Sequence, residues 1–256
     1  MTKYFNLVNS FIYKEIKTIF SYKFHFVIKF LFLLVQLIIF YYFCSLISKD
    51  YFKFLFLGLL FSKIFSHTTT LLETIKQDQF AQTIYITFSF PYSEFTILLC
   101  NFCAKTTIFL IELLIFIIFS ILFFNIKLNL QHLIFLIFFT IYTIIIFLWY
   151  TIVSSSLTFL IKKSEHLLYL INSLIDILSG VYFPISVLPP ILQNISYLLP
   201  TTYLLSFLRN TISQSKITYE LLFYPTIFGF ILLPISILIF NFVLKRMLKI
   251  GRLAIY

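Results

Sequence analysis

The residues in this chain that could do chemistry are few and scattered. Lys63, Glu112 and Asp176 stand inside otherwise apolar runs. A charge at the centre of a membrane span costs about 2.5 to 3.5 kcal/mol on insertion scales, so each of the three needs a partner or water. Glu112 and Asp176 are the residues that an ion-coupled carrier would use to relay protons. Cys100 and Cys103 have Cys-x-x-Cys spacing, but with no second pair and no nearby His they read as packing residues, and Cys44 stands alone. His25, His67, His132 and His166 fall in four separate segments without a zinc-protease pattern, so no metal site is expected. No cluster of His, Asp or Ser at catalytic spacing marks a membrane-embedded enzyme. The glycines Gly58, Gly180, Gly229 and Gly251 are too dispersed for a Gly-x-x-x-x-Gly-Lys-Ser/Thr phosphate loop. The chain is therefore expected not to be an enzyme by itself and to bind no cofactor of its own.

Composition sets the solvent in which these residues work. Of 256 residues, 61% are hydrophobic and 11% charged, with a mean hydropathy of +1.03. A soluble domain of this length needs a charged shell of about a quarter of its residues. The chain therefore reads as an all-α polytopic membrane protein, a single domain over residues 1–256. The 36 Phe against 4 Gly read as the stamp of an AT-rich genome rather than as chemistry.

Met1 to Lys29 lacks the pattern of a cleaved signal peptide and is expected to remain. Phe5, Val8, Phe11, Ile12, Ile16, Ile19 and Phe20 recur at three- and four-residue steps, with Asn6, Ser10, Lys14, Lys17 and Ser21 opposite. That periodicity predicts an amphipathic helix on the membrane surface within residues 1–29. Phe30 to Ser48, 19 residues without a charge, can cross a bilayer core of about 30 Å. A polar turn at Lys49-Asp50 leads to a second span, Phe54 to Leu72, containing Lys63. The third is Leu98 to Phe124 with Glu112, and the fourth lies inside Leu128 to Ile161. The fifth is Leu167 to Val187 with Asp176 at its centre, and the sixth has its core at Leu221 to Leu244.

Six transmembrane helices place both termini on one side. With that side cytoplasmic, 13 of the 19 Lys and Arg fall inside, among them Lys162, Lys163, Lys245, Arg246, Lys249 and Arg252. The five outer ones are Lys49, Lys53, Lys127, Arg209 and Lys216. This bias and attraction to anionic membrane lipids account for the net charge of +10 without nucleic acid.

Two stretches break the apolar pattern. Residues 73–94 form a loop longer than compact bundles use as connectors. It carries Glu73, Lys76 and Asp78, then a short interfacial helix facing the cytoplasm, then Pro91, with Ser93 and Glu94 offering caps for the third span. Residues 179–209 hold four of the seven prolines. Gly180 and Pro184 bend the backbone, Pro189 and Pro190 stop it, Ile191 to Leu199 adds two helical turns, and Pro200 ends those. The chain is thus expected to dip back as a re-entrant hairpin between spans five and six.

These stretches resemble the permease subunits of ATP-binding cassette exporters of type 2. In that family the first cytoplasmic loop reads as an acidic residue, Gly-Thr-Leu-Glu, a few apolar residues and a Pro. Gln82, Thr83, Ile84, Tyr85, Ile86, Thr87 and Phe88 through Pro91 occupy that frame, with Gln82 in place of Gly and Tyr85 in place of Glu. The family's second motif is matched by Ser179, Gly180, Tyr182, Phe183, Pro184, Leu188, Pro189, Pro200, Thr201 or Thr202, Tyr203 and Arg209, with Pro190 directly after the Leu-Pro pair.

The resemblance implies that residues 82–90 are a coupling helix docking on a separate ATPase subunit, which binds ATP and Mg. It implies that 179–209 lids the outer end of the pathway. It also implies a second copy of this chain, or a related permease, completing the pathway by alternating access in a bacterial inner membrane or that of a bacterium-derived organelle. In the family the second and fifth spans approach the pathway and the subunit interface, so Lys63 and Asp176 would pair there; alternatively, each charge is neutralised within its own subunit. The apolar lining favours an amphiphilic cargo such as a drug, lipid or glycan. An ion-coupled secondary transporter using Glu112 and Asp176 is the alternative, although the chain lacks the internal repeat such carriers show.

Overall fold

The computed structural model describes residues 2–45, 49–124, 128–161, 164–213 and 216–250, and the regular elements among them are all helical. Lys127, Lys162, Lys163, Gly251 and Arg252 lie outside the described residues, as do the last three residues of the expected first span and the side chains of His25 and Cys44. The chain divides into two compact units, one of residues 1–53 and 90–130, the other of residues 54–89 and 131–256.

The first unit holds α1 (Thr2–Ser21), α2 (Lys23–Ser45) and, later in sequence, α6 (Glu94–Phe124). The amphipathic helix expected over residues 1–29 ends at Ser21, and α1 packs along α6 with Phe11 buried while Phe5, Ile16 and Phe20 stay exposed. Tyr22 separates α1 from α2 but still donates its N–H to the Thr18 carbonyl at 2.9 Å. A tight turn at Pro91, with the Tyr92 N–H on the Phe90 carbonyl at 2.7 Å, precedes α6. Ser93 caps α6, its hydroxyl accepting the Thr96 N–H at 3.3 Å. Cys100 is buried and Cys103 exposed one turn apart on this helix, and Glu112 is half-buried.

The second unit begins within α3 (Lys49–His67), whose first residues are those expected in a turn. It continues through α4 (Thr70–Phe80), α5 (Ile84–Phe88), α7 (Leu130–Ile146), α8 (Leu148–Leu160) and α9 (Ser164–Leu178). A short 3-10 turn at Ile185–Val187, α10 (Pro190–Leu198), α11 (Pro200–Ser213) and α12 (Glu220–Ile250) complete it. Pro190 and Pro200 each open a helix, the position where a missing N–H costs nothing.

Two of these helices, α6 over Glu94–Phe123 and α12, are long and apolar enough to cross a membrane unbroken. Two bent pairs, α3 from Tyr51 with α4 and α7 with α8, meet the same test jointly, which gives two to four candidate spans among the described residues. The expected fifth span is shorter than drawn: α9 stops at Leu178, and its 15 residues reach about 22 Å, less than the bilayer core. Asp176 consequently sits in the last turn of α9 rather than at the middle of a span.

Both bends have local causes. At the 42° break the hydroxyls of Thr68, Thr69 and Thr70 fold back onto the carbonyls of Phe65, Ser66 and His67, at 2.6, 2.8 and 2.8 Å. The amides of Thr68 and Thr69 tighten to the same carbonyls of Phe65 and Ser66, ending α3. At the 52° break between α7 and α8, the Phe147 carbonyl is shared by the amides of Tyr150 and Thr151 and by the Thr151 hydroxyl.

Beyond that break α8 packs against α12, where the Phe159 ring lies 6.4 Å from that of Phe240, and Ser154, Ser155, Ser156 and Thr158 of α8 are buried. Each hydroxyl is satisfied by a carbonyl of its own helix, at 2.7–2.9 Å. Gly229 of α12 meets the end of α7 directly, where an added Cβ would lie 2.7 Å from the Ile146 carbonyl oxygen. Gly229→Ala should therefore lower stability by about 1–3 kcal/mol, read as thermal unfolding in detergent; an unchanged midpoint would show that the backbone yields.

Candidate functional site

Three places in the second unit gather the residues singled out by type and spacing. The first is the arm formed by α4 and α5. Asp78, near the end of α4, holds the turn that follows: its carbonyl accepts the Thr83 N–H at 2.9 Å, and its carboxylate accepts the hydroxyls of Thr83 and Thr87 at 3.3 and 3.2 Å. Gln82 takes φ of +57° at the centre of this turn. That is the left-handed region where a side chain costs about 1–2 kcal/mol, so a Gly at this place in the family pattern has a conformational reason. Ile84 is buried at 1% exposure, and the Phe88 ring lies 6.4 Å from that of Phe159 on α8. The inward seat leaves Tyr85 and Ile86 exposed, together with Phe80 at the end of α4. Pro91, the end of the motif, belongs to the first unit.

The second place is the polar face of α9. Glu165, Asn172, Asp176 and Ser179 fall within one arc at 100° per residue, while Leu167, Leu170 and Leu174 on the opposite side are exposed. Glu165 forms an ion pair with buried Lys76 of α4 at 3.0 Å. Asn172 bridges two elements, accepting the Tyr150 hydroxyl at 2.7 Å and donating to the Thr69 hydroxyl at 3.4 Å. Within the chain Asp176 is served by Ser62, whose hydroxyl donates to Oδ2 at 2.5 Å; Oδ1 is buried without a hydrogen-bond partner. Lys63, the next residue of α3, is half-buried.

The third place is the corner after α9. Gly180 adopts φ of +80°, the Val181 N–H returns to the Asp176 carbonyl at 3.1 Å and the Gly180 N–H to Ile177 at 3.2 Å, a Schellman stop. The carbonyls of Gly180 and Val181 then receive the Arg209 guanidinium at 2.9 and 3.1 Å, and the Phe54 carbonyl of α3 receives it at 3.3 Å. The same guanidinium lies 3.5 Å from the centre of the Phe54 ring. Gly58 makes this junction possible, because a Cβ there would collide with the Val181 carbonyl and come within 3.0 Å of Arg209 Nη2.

The rest of the corner is closed by side chains taking up carbonyls. The Ser179 hydroxyl pairs with that of Thr201. Gln193 donates to the Leu188 carbonyl at 2.7 Å, Thr202 to Ser196 at 2.6 Å, and Tyr224 of α12 to Leu198 at 2.8 Å. Phe183 is half-buried and Leu188 buried, whereas Pro184, Pro189 and Pro190 are exposed.

Arg209, Gly180 and the 82–91 segment were legible from their motifs. Asn172, Tyr150, Ser62 and Gly58 were not, because a lone Asn, Tyr, Ser or Gly in an apolar run carries no pattern. A faint signal existed in Gly58, a helix-breaking residue inside an expected span.

Gln82→Gly should leave stability unchanged or raise it by up to about 1 kcal/mol; a clear loss in thermal unfolding would contradict the strain. Arg209→Lys offers a point charge in place of a planar fork. It should cost about 1.5–3 kcal/mol in the same assay, and a native midpoint would remove the junction's importance.

Comparison with protein-family models matches residues 6–213 to the family described as ABC-2 type transporter. Comparison with curated proteins returns no match. The matched range covers both motifs and most of the helices described above. The chain thus belongs to the ABC-2 type transporter family, as an integral membrane permease of an ATP-binding cassette transporter.

Proposed function

We propose that this chain is one half of the membrane domain of an ATP-driven exporter. A second copy or a related permease completes the pathway, and a separate cassette ATPase, carrying ATP and Mg, drives it. In this reading the six apolar segments cross the membrane with both termini in the cytoplasm, in keeping with the Lys and Arg bias. Residues 179–209 form a re-entrant lid at the outer end, and the apolar lining suits an amphiphilic cargo.

The observation that carries the proposal is the construction of the α4–α5 arm. Buried Ile84 and the Asp78 clamp fix a five-residue helix whose outer face shows Tyr85 and Ile86. An aromatic and an aliphatic side chain held outward on a rigid support have the chemistry of a docking anchor. In an exporter, ATP-driven closure of two cassettes would push this arm and reopen the helices outward.

The test is affinity capture of the tagged chain from detergent-solubilised membranes, with ATPase activity measured on the eluate. Tyr85→Ala with Ile86→Asp alters only exposed side chains and should abolish co-purification of the ATPase without lowering the permease yield. A chain that purifies free of any ATPase while its oligomer is intact would overturn the exporter reading.

A further inference from the structure

We propose that Asn172 is the positioning residue of a coupled hinge, tying the bend between α3 and α4 to the bend between α7 and α8. The two breaks meet at one node of the second unit. Phe65, in the last turn of α3, stacks on Tyr150 with ring centres 5.3 Å apart and 17° between planes. It also meets Phe147, the residue at the other break, edge-on at 5.1 Å. Hydrogen bonds run through the same node in one direction: Tyr150 donates to Asn172 at 2.7 Å, Asn172 to Thr69 at 3.4 Å, and Thr69 to the Ser66 carbonyl at 2.8 Å.

The amide is suited to this place because it accepts from a phenol on one atom and donates to a hydroxyl on the other. Straightening α3 against α4 would carry Thr69 away from Asn172. Swinging α8 about Phe147 would carry Tyr150 away from its opposite end. Each bend is soft by itself, being held by threonine back-bonds and a shared carbonyl; the node makes them move together. The arm is tethered to α9 a second time by Lys76 and Glu165, so displacement of the Asp78-clamped turn reaches α9 at two points.

What pushes the arm rests on the exporter reading; the coupling of the bends does not. The experiment uses the full chain in lipid nanodiscs, with Cys44, Cys100 and Cys103 changed to Ala and spin labels placed in pairs. Labels at Lys53 and Gln77 span the first bend, and labels at Gln131 and Leu160 span the second. Without any ATPase, Asn172→Leu should broaden both distance distributions by about twofold, and Tyr150→Phe should broaden the second alone. Native distributions in Asn172→Leu, or a change confined to the first pair, would overturn the proposal.

With the ATPase bound and nucleotide trapped, the otherwise native chain should shift both distances and Asn172→Leu the first alone. Shifts in both pairs of that variant would overturn the coupling. Failure of any ATPase to bind counts against the exporter reading, while the nucleotide-free comparison still decides the hinge. Should Asn172→Leu not accumulate, Tyr150→Phe decides it, with an unbroadened second pair as the negative result.

Discussion

At membrane depth a polar group has only the protein to bond with, and the second unit is built around that constraint. The polar face of α9 shows it residue by residue. Glu165 finds Lys76, Asn172 finds Tyr150 and Thr69, Asp176 finds Ser62, and Ser179 finds Thr201. Where the helix ends, the freed carbonyls of Gly180 and Val181 are taken by Arg209. None of these partners is supplied by the α9 helix itself. The face that bonds is the face that packs, and the leucines opposite are exposed.

Close approach is the second device. Hydrocarbon tails are as apolar as leucine side chains, so helices in a membrane associate through fit and polar contact rather than by escaping water. Gly58 brings α3 against the Val181 carbonyl, and Gly229 brings α12 against Ile146. Aromatic rings fill the wider spaces, as in the run of Phe61, Phe139, Phe207 and Phe135 and in the contacts of Trp149, Phe228, Tyr224 and Tyr203.

For a permease the consequence is mechanical continuity. The arm of α4 and α5 is joined to α9 by an ion pair and through Asn172, and α9 leads to a corner that Arg209 ties to α3 and α11. Residues far apart in sequence therefore share one framework, with soft points at the threonine run and at Phe147.

Hydropathy and local hydrogen bonding are properties of a short stretch, and they determined the helical class, the membrane setting, the cap at Ser93 and the short helix between Pro190 and Pro200. The two family motifs were legible for the same reason, since each is a run of neighbouring residues with fixed backbone demands. Only the tertiary structure decided that α9 ends at Leu178, that an uninterrupted apolar run bends at Phe147, and that Asp176 is met by Ser62, 114 residues away. It alone put Arg209 on a carbonyl 155 residues distant and Asn172 between two helix breaks. The reason is that an apolar sequence says a helix leaves water but not which of its sides meets protein, because lipid and the protein interior are equally apolar.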